Sequence, residues 1–105
     1  MNPSEIESVI ESIEGIELVS VVSIPDPVAI DLPAAVFVRR PGYDDLTEEK
    51  VMRIVSERLP ARKHLLGGAY QVDKIPILGN GKIQTRVVRE IALTCYRRNS
   101  LKDRE

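Results

Sequence analysis

The sequence predicts a small α+β domain in which a three-stranded sheet has helices packed against it. Three observations support this fold class. The chain has 105 residues, which is enough for one domain only. Its composition, 43% hydrophobic and 30% charged residues, is typical of a globular protein and not of a disordered one. Segments with helical periodicity and β-branched runs follow one another in the order helix, strand, strand, helix, strand, helix.

The N-terminal half contains a helix, two strands and a second helix. Residues 3–14 predict the first helix, because their apolar side chains follow helical spacing: Ile6, Val9, Ile10 and Ile13. Residues 18–24 and 33–40 are apolar and partly β-branched, so they predict strands, and the second suits a central strand covered on both faces. Thr47 is a candidate N-cap for the second helix, which Pro60 ends.

The C-terminal half contains a strand, a glycine-containing loop and a last helix. Residues 69–75 predict the third strand, and residues 76–82 form the loop. The last helix is predicted over residues 85–97, with an apolar side formed by Val88, Ile91, Ala92 and Cys95. We therefore expect one domain over residues 1–97 and a polar, frayed tail over residues 98–105.

The sequence also limits the cellular compartments in which the protein is expected. No apolar run approaches the roughly 20 residues of a membrane-spanning helix, and the N-terminus has no features of a secretory signal. The single cysteine excludes an internal disulfide and fits a reducing, intracellular compartment. The last three residues are not the peroxisomal address Ser-Lys-Leu, which leaves both cytoplasm and peroxisome open.

Charge is distributed unevenly along the chain. Residues 1–57 carry a net charge of −8 and residues 58–105 a net charge of +7. The two halves could attract each other within the domain, or the basic half could face an anionic ligand such as a nucleotide. Nucleic acid is not the expected partner, because the four aromatic residues are not interleaved with basic residues as a stacking platform requires.

Metal binding and thiol catalysis are not predicted. The only histidine, His64, and the only cysteine, Cys95, lie 31 positions apart and form no recognisable set of metal ligands. Cys95 lies on the apolar stripe of the last helix and is expected to be a small core residue. His64 lies among basic residues, which favours a solvated or phosphate-facing position over catalysis.

The loop before the last helix contains Gly81 followed by Lys82. It is not a P-loop, because that motif requires a glycine at Pro76 and a serine or threonine at Ile83. One interpretation is a two-residue turn at Asn80 and Gly81, since both residue types tolerate positive φ. Alternatively, a lysine on a glycine-flanked loop can extend its ammonium group into a neighbouring cavity.

Six segments, taken together, carry a family resemblance over residues 3–91. They are PSEIE at 3–7, VVSIPD at 21–26, DLPAAV at 31–36, LLGG at 65–68 with VD at 72–73, DKIP at 73–76, and GKI at 81–83 followed by Arg86 and Arg89. On these residues the chain resembles the C-terminal domain of adenylate-forming enzymes, which include acyl-CoA synthetases, 4-coumarate–CoA ligases and beetle luciferases.

The resemblance implies an enzyme that converts a carboxylic acid and ATP to acyl-AMP and then transfers the acyl group to CoA. ATP, AMP and CoA would be its substrates and products, with Mg²⁺ accompanying ATP. The large N-terminal domain of the same polypeptide would bind ATP and the acid. The present chain would be the small mobile domain, a monomer that is inactive alone and has no membrane span.

The resemblance also implies site residues. Lys82 matches the catalytic lysine, whose ammonium group would stabilise the transition state of acyl-AMP formation. Gly79, Asn80 and Gly81 would form the surrounding substrate loop. A basic connector matches a segment that lies near the CoA nucleotide in relatives: Lys63, His64, Leu65, Leu66 and Gly67.

Five positions depart from the family pattern. Ile77 stands in place of the usual lysine, and Asn80 in place of a frequent serine or threonine. Arg62 replaces a common tyrosine, and residues 29–30 lack the basic residue or tryptophan and the glycine that line the CoA passage in relatives. The fate of the acyl group of acyl-AMP therefore stays open. Oxidation as in luciferases, or transfer to a carrier-protein thiol, are alternatives to transfer to CoA. There is also an alternative outside the enzymes: a free-standing, non-catalytic α+β module with a basic anion-binding face.

Overall fold

Six elements form the fold of the computed structural model, which describes residues 3–25, 31–59, 65 and 67–103. In chain order they are α1 (Pro3–Glu11), β1 (Ile16–Pro25), β2 (Asp31–Arg39), α2 (Glu48–Arg58), β3 (Gly68–Gln71) and α3 (Thr85–Asp103). This order confirms the predicted succession of helices and strands. Thr47 caps α2 as expected, because its side-chain oxygen accepts a hydrogen bond from the Lys50 N–H over 3.1 Å.

The three strands form one mixed sheet in the order β1-β2-β3. β1 and β2 pair antiparallel, with Val21 opposite Ala35, whereas β2 and β3 pair parallel, with Val36 opposite Tyr70. β2 is therefore the central strand, as its apolar run predicted. Every residue from 32 to 38 is buried, which follows from a strand that helices cover on both faces.

Helices cover the two faces of the sheet with two separate hydrophobic clusters. Alternate residues of β2 point to opposite faces, so Phe37 belongs to one cluster and Val36 to the other. The first cluster includes Ile6 and Ile10 of α1 with Val51 and Val55 of α2. The second includes Val88 and Ala92 of α3. The domain is thus a three-layer sandwich of the α1/α2 face, the sheet and the α3 face.

A β-bulge at Glu17 adjusts the start of β1. Ile16 pairs with Arg39 and Leu18 with Val38, so β1 contains one more residue than β2 across this step. Because of this extra residue, the side chains of Ile16 and Leu18 point to opposite faces of the sheet instead of the same face. Ile16 therefore packs into the α1/α2 cluster, whereas Leu18 packs against the α3 cluster.

Glutamates from the helices bond to both edge strands. In α1, the Glu7 carboxylate accepts a hydrogen bond from the backbone of Val21 in β1. In α2, the Glu48 Oε2 atom accepts one from the Gln71 N–H of β3 over 2.8 Å. Each carboxylate occupies a backbone donor that an edge strand would otherwise leave open to another strand.

Several elements differ in length from the prediction. α1 ends at Glu11 instead of residue 14, and β1 begins at Ile16 instead of residue 18. β3 ends at Gln71, before residues 72–75, which were expected to continue it. Val72 still donates to the Phe37 carbonyl oxygen over 2.9 Å, and Ile75 is buried in the α3 cluster outside any strand. α3 continues to Asp103, so residues 98–103 of the expected tail are helical. Among the described residues, no helix is both long and apolar enough to cross a membrane.

Candidate functional site

Lys82 lies at the closed end of a short hairpin between β3 and α3. Ile77 and Ile83 form an antiparallel bridge at its open end. The Leu78 N–H donates to the Lys82 carbonyl oxygen over 2.7 Å, and the Gly81 N–H donates to the Leu78 carbonyl oxygen over 2.8 Å. These two bonds define a three-residue loop of Gly79, Asn80 and Gly81, so the loop residues expected to surround Lys82 do adjoin it.

The loop is not the two-residue Asn-Gly turn that one interpretation of the sequence proposed. Such a turn needs positive φ at both Asn80 and Gly81, but only Gly81 has it, at +86°. The bonding matches the three-residue hairpin loop in which a turn is followed by a glycine in the left-handed region. Asn80 has a different role, because its Oδ1 atom accepts a hydrogen bond from the Lys82 N–H over 3.1 Å.

Anchors on both sides hold the hairpin against the domain. Ile75 is buried in the α3 cluster and Ile83 packs against that cluster. The Gln84 N–H donates to the Pro76 carbonyl oxygen over 2.9 Å, and Gln84 in turn accepts from the Val88 N–H in the first turn of α3. The base of the hairpin is therefore fixed to the last helix while its tip projects away.

The tip itself is exposed and uncrowded. Lys82 and the three loop residues are all exposed. A Cβ atom placed on Gly79 or on Gly81 would meet no heavy atom within 4 Å. Within the described parts of the chain, Lys82 has no ion-pair partner. A mobile ammonium group on a backbone of fixed shape can therefore reach an anion outside the domain.

The expected CoA segment is described only at Leu65 and Gly67; Lys63, His64 and Leu66 lie outside the described residues. Leu65 is buried in the α1/α2 cluster. The Gly67 N–H donates to the Pro33 carbonyl oxygen over 2.8 Å, and the Gly67 carbonyl oxygen accepts the buried Tyr70 hydroxyl. Both residues thus fasten the end of the basic connector to the core.

Glycine is favoured at Gly67, the last residue of this connector, and is required at the next position, Gly68. A Cβ atom on Gly67 would come within 3.0 Å of the Pro33 carbonyl oxygen. Gly68 has a φ of +97°, and a Cβ atom there would overlap the Tyr70 hydroxyl at 2.6 Å. The double glycine of the sequence therefore leaves room for the Tyr70 side chain to pack against residues 67–68.

Basic residues precede and follow the hairpin in the sequence. Lys74 lies before it, and Arg86 and Arg89 follow it in α3; all three are exposed. The ion pair found in the described parts of the chain, Arg53 with Glu57 at 3.9 Å, lies within α2. Both residues of this pair belong to the acidic half of the chain.

Of the two residues considered for metal or thiol chemistry, the structure describes only Cys95. His64 lies outside the described residues, whereas Cys95 is half-buried and packs against the α3 cluster. Burial raises the pKa of the Cys95 thiol, which opposes formation of the thiolate. The described residues contain no group of three or more His, Cys, Asp or Glu side chains that could hold a metal ion.

Sequence reasoning assigned no role to Ile77 and Leu78, which precede the loop. Their side chains are 46% and 45% exposed, although both are large and apolar. The only available signal was an apolar pair between a proline and a glycine-containing turn, which sequence alone does not distinguish from a buried loop.

Comparisons with known proteins were made against families, characterised relatives and solved structures. Residues 5–82 match the family described as the AMP-binding enzyme C-terminal domain. A luciferin 4-monooxygenase of Nipponoluciola cruciata is 42% identical over 89 residues, which are 85% of this chain and 16% of that protein. The acyl-CoA synthetase ACTT5 of Alternaria alternata is 37% identical over 101 residues, which are 92% of this chain and 17% of that protein.

The ATP-bound MatB structure from Rhodopseudomonas palustris has the same fold, with a TM-score of 0.82 and 28% sequence identity. The superposition covers 91% of this chain and 19% of that one. The chain therefore spans less than a fifth of the length of these relatives. The fold and the family match agree, and the chain belongs to the AMP-binding enzyme C-terminal domain family of the adenylate-forming enzymes.

Proposed function

We propose that this chain is the C-terminal domain of an acyl-CoA synthetase-like ligase and that Lys82 is its catalytic lysine. The single observation that carries the proposal is the exposed Lys82 on a hairpin whose backbone is fixed and whose tip is uncrowded. The larger domain of the same polypeptide would bind ATP and a carboxylic acid. The family match and the short coverage of the relatives support this arrangement.

The first half-reaction would join the acid to the nucleotide. A carboxylate oxygen attacks the α-phosphorus of ATP, the new O–P bond forms acyl-AMP, and pyrophosphate leaves. Two anions must approach each other, and negative charge grows on the phosphoryl oxygens. An ammonium group held between the carboxylate and the α-phosphate offsets this repulsion and stabilises the transition state.

The second half-reaction would transfer the acyl group to CoA with release of AMP. The proposal assigns Lys63 and His64 to the phosphates of CoA, because the connector is basic. Leu65 and Gly67 would then act by holding the connector, since both are buried and Gly67 is bonded at its N–H and its carbonyl oxygen. Mg²⁺ would arrive with the phosphates of ATP, and the described residues supply no carboxylate cluster for it.

The identity to luciferin 4-monooxygenase favours a second candidate, in which the acyl-AMP is oxidised instead of being transferred to CoA. Both candidates share the adenylation step and the role of Lys82. They differ in the acceptor, so product analysis with CoA and with oxygen supplied separately distinguishes them.

The test is Lys82→Ala in the complete enzyme, with single-turnover kinetics of each half-reaction. We expect adenylation to slow by about a hundred- to a thousand-fold, equivalent to about 3–4 kcal/mol, the effect of losing one transition-state donor. The rate from supplied acyl-AMP and CoA should change much less. Lys74→Ala is the matched control, because Lys74 is also an exposed lysine near the hairpin.

The outcomes separate the alternatives. Equal losses in both half-reactions would contradict a role confined to adenylation. A neutral Lys82→Ala variant would reduce Lys82 to a turn residue and would favour a non-catalytic binding module.

A further inference from the structure

Asn80 is the only asparagine in the sequence that a glycine follows. Asparagine is one of the thermally labile residues, because the backbone nitrogen of the next residue can attack its side-chain carbonyl carbon. Of the other two asparagines, Asn2 precedes Pro3, which has no backbone N–H to lose. Asn99 lies within α3, where backbone N–H groups are bonded to carbonyl oxygens of the preceding turn. Asn80 is therefore the asparagine of this chain whose successor is least hindered.

The surroundings of Asn80 leave the reacting groups accessible. Asn80 and Gly81 are both exposed at the tip of the hairpin. Gly81 has no Cβ atom, and even an added Cβ would meet no heavy atom within 4 Å. Solvent therefore reaches both the carboxamide and the backbone nitrogen that would attack it.

Two hydrogen bonds at the tip act in opposite directions. The Asn80 Oδ1 atom accepts from the Lys82 N–H over 3.1 Å, which turns the carboxamide toward the residues that follow it. The same donor would stabilise negative charge on Oδ1 while the nitrogen attacks. Against this, the Gly81 N–H donates to the Leu78 carbonyl oxygen over 2.8 Å and must be released first. Because that bond closes a loop of three exposed residues, its opening costs little free energy.

The reaction is hydrolysis of the side-chain amide in two steps. The Gly81 nitrogen loses its proton and bonds to the Asn80 Cγ atom, and the bond from Cγ to the side-chain nitrogen breaks with release of ammonia. The product is a cyclic succinimide. Water then opens either of the two carbonyl–nitrogen bonds of the ring, which gives aspartate or isoaspartate. The sum is asparagine plus water giving a carboxylic acid plus ammonia, so water is the only co-reactant.

Either product changes the immediate surroundings of Lys82. A neutral carboxamide becomes a carboxylate two residues from the lysine. Within the described parts of the chain, Lys82 has no ion-pair partner, and the carboxylate would supply one. Isoaspartate also adds a methylene group to the backbone of the three-residue loop.

We propose that Asn80 is a site of spontaneous deamidation and that the product carboxylate slows adenylation by Lys82 as the enzyme ages. The chemical step is independent of the proposed function, whereas its effect on adenylation rests on that function. The carboxylate pairs with the ammonium group and repels the anionic reactants that Lys82 must bring together.

The experiment incubates the complete, folded enzyme at pH 6 and at pH 8 and removes samples over time. Trypsin cleaves after Lys74 and Lys82, so Asn80 is the only carboxamide residue in the peptide over residues 75–82. Mass spectrometry measures the exchange of NH2 for OH in that peptide, and an isoaspartyl-specific methyltransferase detects the isomer. We expect both products to accumulate, faster at pH 8, because the attacking nitrogen must lose its proton.

Matched controls separate the site from the conditions. A sample digested at time zero corrects for reaction during digestion. Asn99 should stay intact over the same period, and Asn80→Ser, which lacks the carboxamide, should leave the mass of the 75–82 peptide unchanged. Enzyme unfolded in urea gives the rate without the hairpin. We expect the folded enzyme to react within about tenfold of that rate, since an exposed loop opens at low cost.

Single-turnover kinetics follow adenylation in the same samples. We expect the rate to fall with the fraction of deamidated enzyme, whereas Asn80→Ser should keep the rate that it has when fresh. Freshly prepared Asn80→Asp reproduces one product and should adenylate about tenfold more slowly than the wild type, the effect of one charge contact near the surface. Its thermal unfolding midpoint should equal that of the wild type, because residue 80 is exposed.

The results separate this inference from the proposed function. An intact 75–82 peptide in the folded enzyme, with reaction only after unfolding, would overturn the modification and leave the function untouched. Full deamidation with an unchanged adenylation rate would overturn the effect on Lys82; a slow Lys82→Ala variant would then leave the function standing, and a neutral one would overturn it too. Loss of activity in aged Asn80→Ser at the wild-type rate would assign the ageing to another cause and overturn the inference.

Discussion

Glu7 lies at the margin of the core, where its surroundings oppose its charge. Partial burial against β1 raises the pKa of its carboxyl group above the ordinary 4.5, and repulsion from Glu11 adds to the rise; the hydrogen bond from the Val21 backbone acts in the opposite direction. The net rise means that the folded chain holds this proton more tightly than the unfolded chain does. Its contribution to stability is therefore present at low pH and is lost as the pH rises through the folded-state pKa.

We predict that Glu7→Gln increases the free energy of unfolding at pH 7 relative to the wild type, and that the gain disappears below pH 4.5. Glutamine keeps the acceptor oxygen for Val21 and removes the unfavourable charge. Urea unfolding of both proteins between pH 4 and 8 measures the difference. Glu17→Gln is the control, because it makes the same substitution at the exposed bulge of β1.

For the residues of the candidate site, identity was easier to predict from the sequence than geometry. Lys82 could be identified as the candidate catalytic lysine, because the residues around it match a family motif in the same order. The geometry of its loop could not be predicted, because Asn80 and Gly81 are compatible with both a two-residue and a three-residue hairpin loop. Which loop forms depends on which residues pair across the hairpin. The structural role of Gly67 and Gly68 was hidden for a similar reason, since it depends on the distant Pro33 and on the placement of Tyr70.

Among the elements, β3 shows how a short edge strand is protected. It has only four residues and pairs with β2 on one side. On its other side, the Glu48 carboxylate occupies the Gln71 N–H from the first turn of α2. The same carboxylate lies near the positive end of the α2 dipole, so one side chain supports both the strand and the helix.

We predict that Glu48→Ala lowers the free energy of unfolding by about 1 kcal/mol, because it removes a charge-assisted hydrogen bond and a favourable interaction with the helix dipole. Glu49→Ala is the control, as it loses only the second of these and should cost a few tenths of a kcal/mol. Urea unfolding compares the two variants. Equal effects would show that the bond to Gln71 contributes nothing measurable.

The lengths of elements were harder to predict than their kinds. Residues 72–75 were expected in β3 because Val72 and Ile75 are apolar and β-branched, but they pack against the α3 cluster from irregular backbone. The end of α3 was placed too early because the polar residues after Arg97 looked like a tail. A polar segment can extend a helix when its apolar neighbours already fix the preceding turns.

At the scale of the whole molecule, two hydrophobic clusters on one sheet support independent folding. Fully buried residues occur in both, including Phe37 and Ile10 in one and Val36 and Val88 in the other. We predict a folded monomer, to be checked by far-UV circular dichroism, amide dispersion and sedimentation. A disordered chain in isolation would contradict this prediction.

The same isolated chain should make no acyl-adenylate. It has no P-loop, and Lys82 lies on an exposed hairpin tip at which Gly79 and Gly81 have no close neighbours. ATP–pyrophosphate exchange with fatty and aromatic acids measures the activity, with the complete enzyme as the positive control. Exchange above background by these 105 residues would contradict the assignment to a larger ligase.

The two glycines of the hairpin tip differ in how freely they can be replaced. Gly81 has a φ of +86°, which residues other than glycine rarely adopt, whereas Gly79 has neither a positive φ nor a close neighbour. Position 79 can therefore accept a cysteine that carries a fluorescent label, three residues from the lysine, with half-buried Cys95 replaced to make the label unique. Such a label would report any approach of the tip to another surface as a change in emission, and so would test directly whether the domain moves as the proposed function requires.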